Sequence, residues 1–203
     1  MIPLWRLTRN RMARRIYDRL KAAGITATRM IEFATGLSAS PGREGPADRQ
    51  VPGVSFVVVP PGEGAPARLE FDDAVSVSRL DGEWAVVATA EDRMVGRVLV
   101  SVDRSPYVDP LGETVVFDGA YVRRVYVSRE WRNNGIATRL VGEATAVATD
   151  RLGEDSAHAL IAGDNRPSQR AFAACGFRPV RRHDYVRLFG VERRRVTDLD
   201  RNY

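Results

Sequence analysis

VYVSREWRNNGIATRLV, residues 125–141, restricts the fold more than any other part of the chain. An apolar alternating run ends at Ser128, a short polar loop follows, and Gly135 opens a segment with amphipathic helical spacing. A helix N-terminus leaves its first backbone N–H groups unpaired and carries partial positive charge. A glycine in the preceding loop lets backbone approach an anion, or supplies an unusual φ. Asn133, Asn134, Gly135, Ile136 and Ala137 are the candidate N–H donors. Arg132 either adds charge or braces the loop by bonding carbonyls. Arg-x-x-Gly-x-Ala alone leaves two readings open, a phosphate cradle and a ligand-free glycine turn. The dinucleotide pattern G-x-G-x-x-G and the Walker A loop are both absent.

The rest of the chain sets this unit in order. Residues 3–22 read as an amphipathic helix with a Met12, Ile16, Leu20 row and arginines opposite. A weaker helical stretch covers 26–37, and 40–53 is a turn-rich linker. From residue 54 strands take over: VSFVVVP, then a hairpin in 83–103 turning at Glu91 to Arg93, then a long strand in 114–127 with a bulge or bend near Gly119. A helix over 135–150, a strand over 157–163, a helix over 167–175 and a last strand or bent pair follow. The expected class is mixed α/β (α+β) with a mostly antiparallel sheet, the strand–helix–strand unit 115–163 forming a parallel crossover. The expected divisions are a basic helical segment 1–39, the linker 40–53, a domain 54–190 and a loose charged tail 191–203.

Composition narrows the classes. One cysteine, Cys175, excludes an internal disulfide and is too few for a cysteine-based zinc site. His158 and His183 are the only histidines. As isolated residues they make no metal site, and His183-Asp184 reads as a surface pair or part of a substrate mouth. No apolar run reaches the ~20 residues that span a bilayer. Arg6 interrupts the first apolar residues, which is the wrong order for a secretory signal, so a cytoplasmic location is expected. The net charge of +5 is carried by residues 1–22, which hold seven basic side chains against Asp18. This segment docks on the domain or a second subunit, or meets nucleic acid, an anionic membrane or another acidic surface.

A second stretch, DNRPSQRAFAACGF at 164–177, follows the next strand. Together the two stretches resemble the GNAT superfamily of acyl-CoA-dependent N-acyltransferases. The matching residues are Val125, Val127, Arg132, Gly135, Ala137, Asn165, Ser168, Gly176 and Phe177, in order and spacing. The resemblance covers about 54–190 and is strongest over 121–177. It implies that the family's fourth and fifth strands splay apart, and that Val125 and Val127 bond a pantetheine arm. It implies that the N–H groups of Arg132, Asn133, Asn134, Gly135, Ile136, Ala137 and Thr138 hold the pyrophosphate. Asn165 and Ser168 then touch the pantetheine or its sulfur end. The implied activity is transfer of an acetyl group from acetyl-CoA to a primary amine by direct attack in a ternary complex, with no metal.

Two proton-transfer positions depart from the family pattern. The place that often holds a carboxylate, six residues before Val127, is Tyr121. The place that often holds a tyrosine, seven residues after Asn165, is Phe172, which cannot donate a proton. Strand parity puts Tyr121, Arg123, Val125 and Val127 on one face, with no carboxylate nearby and Asp118 on the other face unless a bulge shifts it. Tyr121 either orients water or substrate, or lines the sheet; Tyr126 and Tyr185 are further candidates. The Val127 N–H is the implied oxyanion donor. The alternative function is a module that binds acyl-CoA without turnover, as sensor or interaction domain.

Overall fold

The computed structural model describes residues 25–37, 50–62, 82–102 and 105–199. Among these described residues, ten strands, two α-helices and one short helical turn run in the order β1 (Ile25–Gly36), β2 (Ser55–Val59), β3 (Trp84–Ala90), β4 (Arg93–Ser101), β5 (Tyr107–Val108), β6 (Glu113–Thr114), β7 (Ala120–Val127), a 3₁₀ turn (Arg129–Trp131), α1 (Ile136–Asp150), β8 (Ser156–Ala162), α2 (Arg166–Ala174), β9 (Arg178–Leu188) and β10 (Val191–Asp198). Eight strands form one sheet in the order β10-β9-β1-β8-β7-β4-β3-β2, and β5 pairs with β6 beside it. Every neighbouring pair is antiparallel except β7 and β8, which are parallel. The expected class and the β7–α1–β8 crossover are therefore present.

Two tight turns set the hairpins. Glu91 and Asp92 both take positive φ, 50° and 59°, between β3 and β4. Phe189 and Gly190 do the same, at 48° and 88°, between β9 and β10. Two consecutive left-handed residues match the right-handed twist of paired strands, so each turn closes with only two residues.

One face of the sheet carries the main core. Ile136, Leu140, Ala144 and Val147 repeat down α1 and pack with Val86, Val98, Val100, Val122, Ala157, Ala159 and Ile161. Each Val, Leu or Ile side chain among them, fully buried, contributes about 1.5–3 kcal/mol. α2 adds Phe172, which meets Phe177 edge to face at 4.9 Å. A second, smaller cluster lies on the opposite face: Val108, Leu111, Val115, Phe117, Tyr121 and Tyr185, with Met30 and Leu160.

Three expectations give way here. The stretch 26–37, read as helical, falls almost wholly in β1, a strand in the sheet between β8 and β9. Residues 191–198, read as a loose tail, are β10, and Arg194 ties it to the β5–β6 hairpin through the Gly112 carbonyl at 3.3 Å. The sheet thus extends beyond 54–190 at both ends. The third concerns the strand expected over 114–127: its regular part begins only at Ala120, after a bend at Asp118 and Gly119. The expected helix over 3–22 and most of the linker lie outside the described residues.

Candidate active site

β7 and β8 pair only at Ala120↔Ala157 and Tyr121↔His158. Beyond that point each strand follows its outer neighbour: β7 stays on β4, and β8 stays on β1 as far as Met30↔Ala162. A wedge therefore opens between Val122–Val127 and Ala159–Ala162. A bulge in β7 accompanies it. Leu99 faces Arg123 and Arg97 faces Tyr126, so Val98 alone opposes both Arg124 and Val125. Arg124 absorbs the extra residue at φ 56°.

The ladder beyond the bulge decides where the backbone points. The Ser128 N–H bonds the Val95 carbonyl at 2.8 Å. Alternation in an antiparallel pair then turns the N–H and C=O of Val127, and of Val125, away from β4 and into the wedge. The Val127 carbonyl is taken by Arg132 Nε at 3.0 Å. Arg132 thus braces the loop, as one of its two expected roles required.

At the wide end of the wedge stands the start of α1. Asn133 and Gly135 both take positive φ, 67° and 81°. A Cβ on Gly135 meets nothing within 4 Å, so it is the left-handed backbone that calls for glycine there. No side chain caps the helix, and no acidic residue lies in its first turn. Asn133, Asn134 and Gly135 are exposed, Ile136 is in the core, and Ala137 and Thr138 are half-buried. The N–H groups of this first turn are left uncapped, with no carboxylate in that turn to compete for them.

The second motif is joined to the first. Asn165 caps α2 by accepting the Ser168 N–H at 3.4 Å, which leaves the Asn165 amide NH₂ and the Ser168 hydroxyl for other partners. Gln169, which sequence reasoning passed over, donates to the Ala162 and Gly163 carbonyls at 3.1 Å and fixes α2 to the end of β8. Cys175 donates to the Thr138 carbonyl at 3.3 Å. Burial pushes its thiol up to about 12, so it packs as a thiol and is no nucleophile. Phe172 is 2% exposed and carries no proton to give.

Tyr121 is not on the face that strand parity assigned to it. The Arg124 bulge reverses the alternation, so Val125 and Val127 pack with the main core while Tyr121 lies in the opposite cluster, stacked on Phe117 at 4.6 Å. Burial raises its hydroxyl above the ordinary phenol value. Tyr185 shares that cluster, under the Arg194 guanidinium at 4.8 Å.

The same face holds a carboxylate that sequence reasoning missed. Glu32 on β1 is 1% exposed. His158 Nδ1 lies 3.0 Å from one of its oxygens and His183 Nε2 lies 3.2 Å from the other. His158 Nε2 is 3.1 Å from the Asp118 carbonyl, beside the closed end of the wedge. The two histidines are thus neither isolated nor, for His183 at 6% exposure, on the surface. The available signal was a lone acid inside the apolar run Met30-Ile31-Glu32-Phe33-Ala34. Among the described residues no group of His, Cys, Asp and Glu is arranged to hold a metal.

Burial by itself raises the Glu32 carboxyl. Hydrogen bonds from His158 and His183 and the Arg181 cation at 3.6 Å outweigh it and lower the carboxyl to about 2, from an ordinary 4.5. A carboxyl lowered on folding stabilises the protein above its unfolded value and loses that stability as pH falls through the folded one. Urea unfolding across pH 4.5 to 2 should therefore show wild type losing about 3 kcal/mol more than Glu32→Gln. Parallel pH curves for the two proteins contradict the assignment.

Comparison with known proteins points one way. The model of the Acetyltransferase (GNAT) family matches residues 57–177. A GCN5-related N-acetyltransferase from Sphaerobacter thermophilus superposes with TM-score 0.52 at 17% identity, covering 91% of this chain and 58% of that one. A protein of Novosphingobium aromaticivorans assigned to the GNAT family gives 0.52 at 15% identity, covering 80% and 65%. A GCN5-related N-acetyltransferase-like protein from Streptococcus suis gives 0.51 at 11%, covering 86% and 67%. The chain spans about three fifths of the length of the first two of these. At such identities the likeness speaks for the fold alone. No curated protein matches the chain in sequence.

Proposed function

Because the chain belongs to the acetyltransferase (GNAT) family, we propose that it transfers an acetyl group from acetyl-CoA to a primary amine by direct attack in a ternary complex. The observation that carries this reading is the wedge, in which β7 and β8 part after Tyr121↔His158 and open toward the uncapped start of α1. A pantetheine arm is a chain of amides. It satisfies the backbone groups of Val125 and Val127 as an added strand, with the pyrophosphate at the N–H groups of Arg132 to Thr138. The Asn165 amide and the Ser168 hydroxyl face the sulfur end in this reading.

The Val127 N–H, aimed into the wedge, polarises the thioester carbonyl and stabilises the oxyanion. The amine attacks that carbon, the C–N bond forms, the C–S bond breaks, and the thiolate leaves. With Phe172 in place of an acid, the sulfur leaves unaided, which a thiol of pKa near 8.5 tolerates. Tyr121 orients the amine or its water on the face opposite α1.

The test uses the full chain, millimolar acetyl-CoA and a panel of primary amines, with released thiol and melting temperature as readouts. Thiol release with one class of amine is the expected result. A coenzyme-induced rise in melting temperature without turnover on the whole panel favours instead an acyl-CoA-binding sensor, which buried Phe172 also suits. No effect of coenzyme on melting defeats both readings. Among the described residues no helix is long and apolar enough to cross a membrane.

A further inference from the structure

The loop that leads into α1 holds the pair Asn134–Gly135, and Asn134 is the only asparagine of the chain that glycine follows. An asparagine side chain places its amide carbon where the next backbone nitrogen can attack it and close a five-membered ring. A side chain on the following residue hinders that approach, and glycine has none. Asn133 supplies the internal contrast, since the residue after it is Asn134, whose Cβ stands beside the attacking nitrogen.

The structure leaves this pair free to react. Asn134 and Gly135 are both exposed, so water and hydroxide reach them. Nothing lies within 4 Å of the Cβ position of Gly135. The Gly135 N–H has no hydrogen-bond partner among the described residues, so no acceptor holds its proton. One bond to the Trp131 carbonyl, at 3.4 Å, is all that holds the Asn134 amide, and a bond that long lets the side chain turn. The uncapped start of α1 adds partial positive charge beside the pair, which favours loss of the proton from the Gly135 nitrogen. Asp118–Gly119 has none of this freedom, because Gly119 is buried against Ser156.

We propose that Asn134–Gly135 is a site of spontaneous deamidation that puts a carboxylate into the coenzyme cradle and weakens coenzyme binding, while bound coenzyme protects it. The Gly135 nitrogen gives its proton to hydroxide and attacks Cγ of Asn134. The N–Cγ bond forms, the Cγ–Nδ2 bond breaks, and the side-chain nitrogen leaves as ammonia. Water then opens the succinimide at either carbonyl. Opening at the backbone carbon gives isoaspartate, with one extra carbon in the main chain, and opening at Cγ gives aspartate. One water is consumed, one ammonia is released, and position 134 gains one negative charge. That charge stabilises the start of α1 and repels a pyrophosphate at the same N–H groups. Only the effect on coenzyme rests on the acyl-transfer reading above, since the ring closure needs the pair alone.

The test ages the full chain in mildly alkaline buffer, with and without saturating coenzyme A, and follows it by peptide mass mapping. The expected result is a gain of one mass unit at Asn134, with isoaspartate among the products and Asn133 unchanged. Coenzyme A should slow the gain about fivefold or more, and the aged protein should bind it about tenfold more weakly. Asn134→Gln is the control, because a glutamine would have to close a larger ring. Its affinity for coenzyme A, whatever the starting value, should not decline on ageing. Conversion at Asn134 no faster than at Asn133 in the folded protein overturns the proposal, as does an aged, converted protein with undiminished affinity. If Asn134 converts but fresh protein binds no coenzyme A, the acyl-transfer reading fails and the reactive pair stands without its proposed effect.

Discussion

The double variant Asn133→Asp, Asn134→Asp should bind acetyl-CoA about 100-fold more weakly, or worse, with a melting temperature equal to or above that of wild type. The two effects have opposite signs because they act on the same partial charge. Negative side chains at a helix start interact favourably with its unpaired N–H groups, by about 0.3–1 kcal/mol each. The same charges repel a pyrophosphate at that place, and about 3 kcal/mol of repulsion corresponds to roughly 100-fold in affinity. Both asparagines are exposed, and Asp tolerates the left-handed φ of 67° at position 133 almost as Asn does. The bond from Asn134 to the Trp131 carbonyl, at 3.4 Å, is weak enough to lose without unfolding the loop. Calorimetric titration and a thermal melt on the same sample read both quantities. A coenzyme affinity within threefold of wild type contradicts the anion cradle.

Gly119→Ala should be the most damaging single substitution to the fold, costing about 4 kcal/mol or more of unfolding free energy. Gly119 has φ 137°, where a side chain is strained whatever the space. A Cβ there also collides with the Ser156 hydroxyl and backbone carbonyl, on the strand to which β7 is joined. Ser156 cannot retreat, since its own hydroxyl donates to the Asp118 carbonyl and the next residue, Ala157, is one of the two β8 residues that pair with β7. Gly153 is the control. It has φ 68° but open space around its Cβ position, and Gly153→Ala should cost only about 1 kcal/mol. Denaturant midpoints decide. Equal losses for the two variants mean that the collision adds nothing and that φ alone matters.

What the sequence made legible was local. The β3–β4 hairpin, the run into α1 and the crossover to β8 were readable because β-branched alternation, a turn and an i, i+4 row each lie within a few neighbouring residues. β1 was not. Mid-sheet it buries Phe33 toward the main core and the charged Glu32 toward the opposite face, so a strand covered on both faces shows no clean apolar and polar alternation. β10 was obscured for the opposite reason: at the sheet edge, VERRRVTD is exposed on both faces and reads as tail. The Arg124 bulge gave only a faint sign, two successive arginines in a strand otherwise apolar, and missing it placed Tyr121 on the wrong face. The grouping of Glu32, His158 and His183 depends on strand order alone. Residues so far apart in the chain leave no spacing to read.

The position of β1 has a consequence for how the chain acquires its structure. It is made well before both of its partners, β8 and β9, which lie beyond residue 155. Until the ribosome has delivered them, β1 has two bare edges and no neighbour. Closing so long a loop is slow, and the half-assembled sheet meanwhile exposes strands able to pair with other molecules. A fragment confined to 57–177 omits β1 and so leaves β8 with a permanently open flank. The strand that carries Glu32 thus waits for both of its neighbours, and the contacts of Glu32 with His158 and His183 form only when β8 and β9 have joined it.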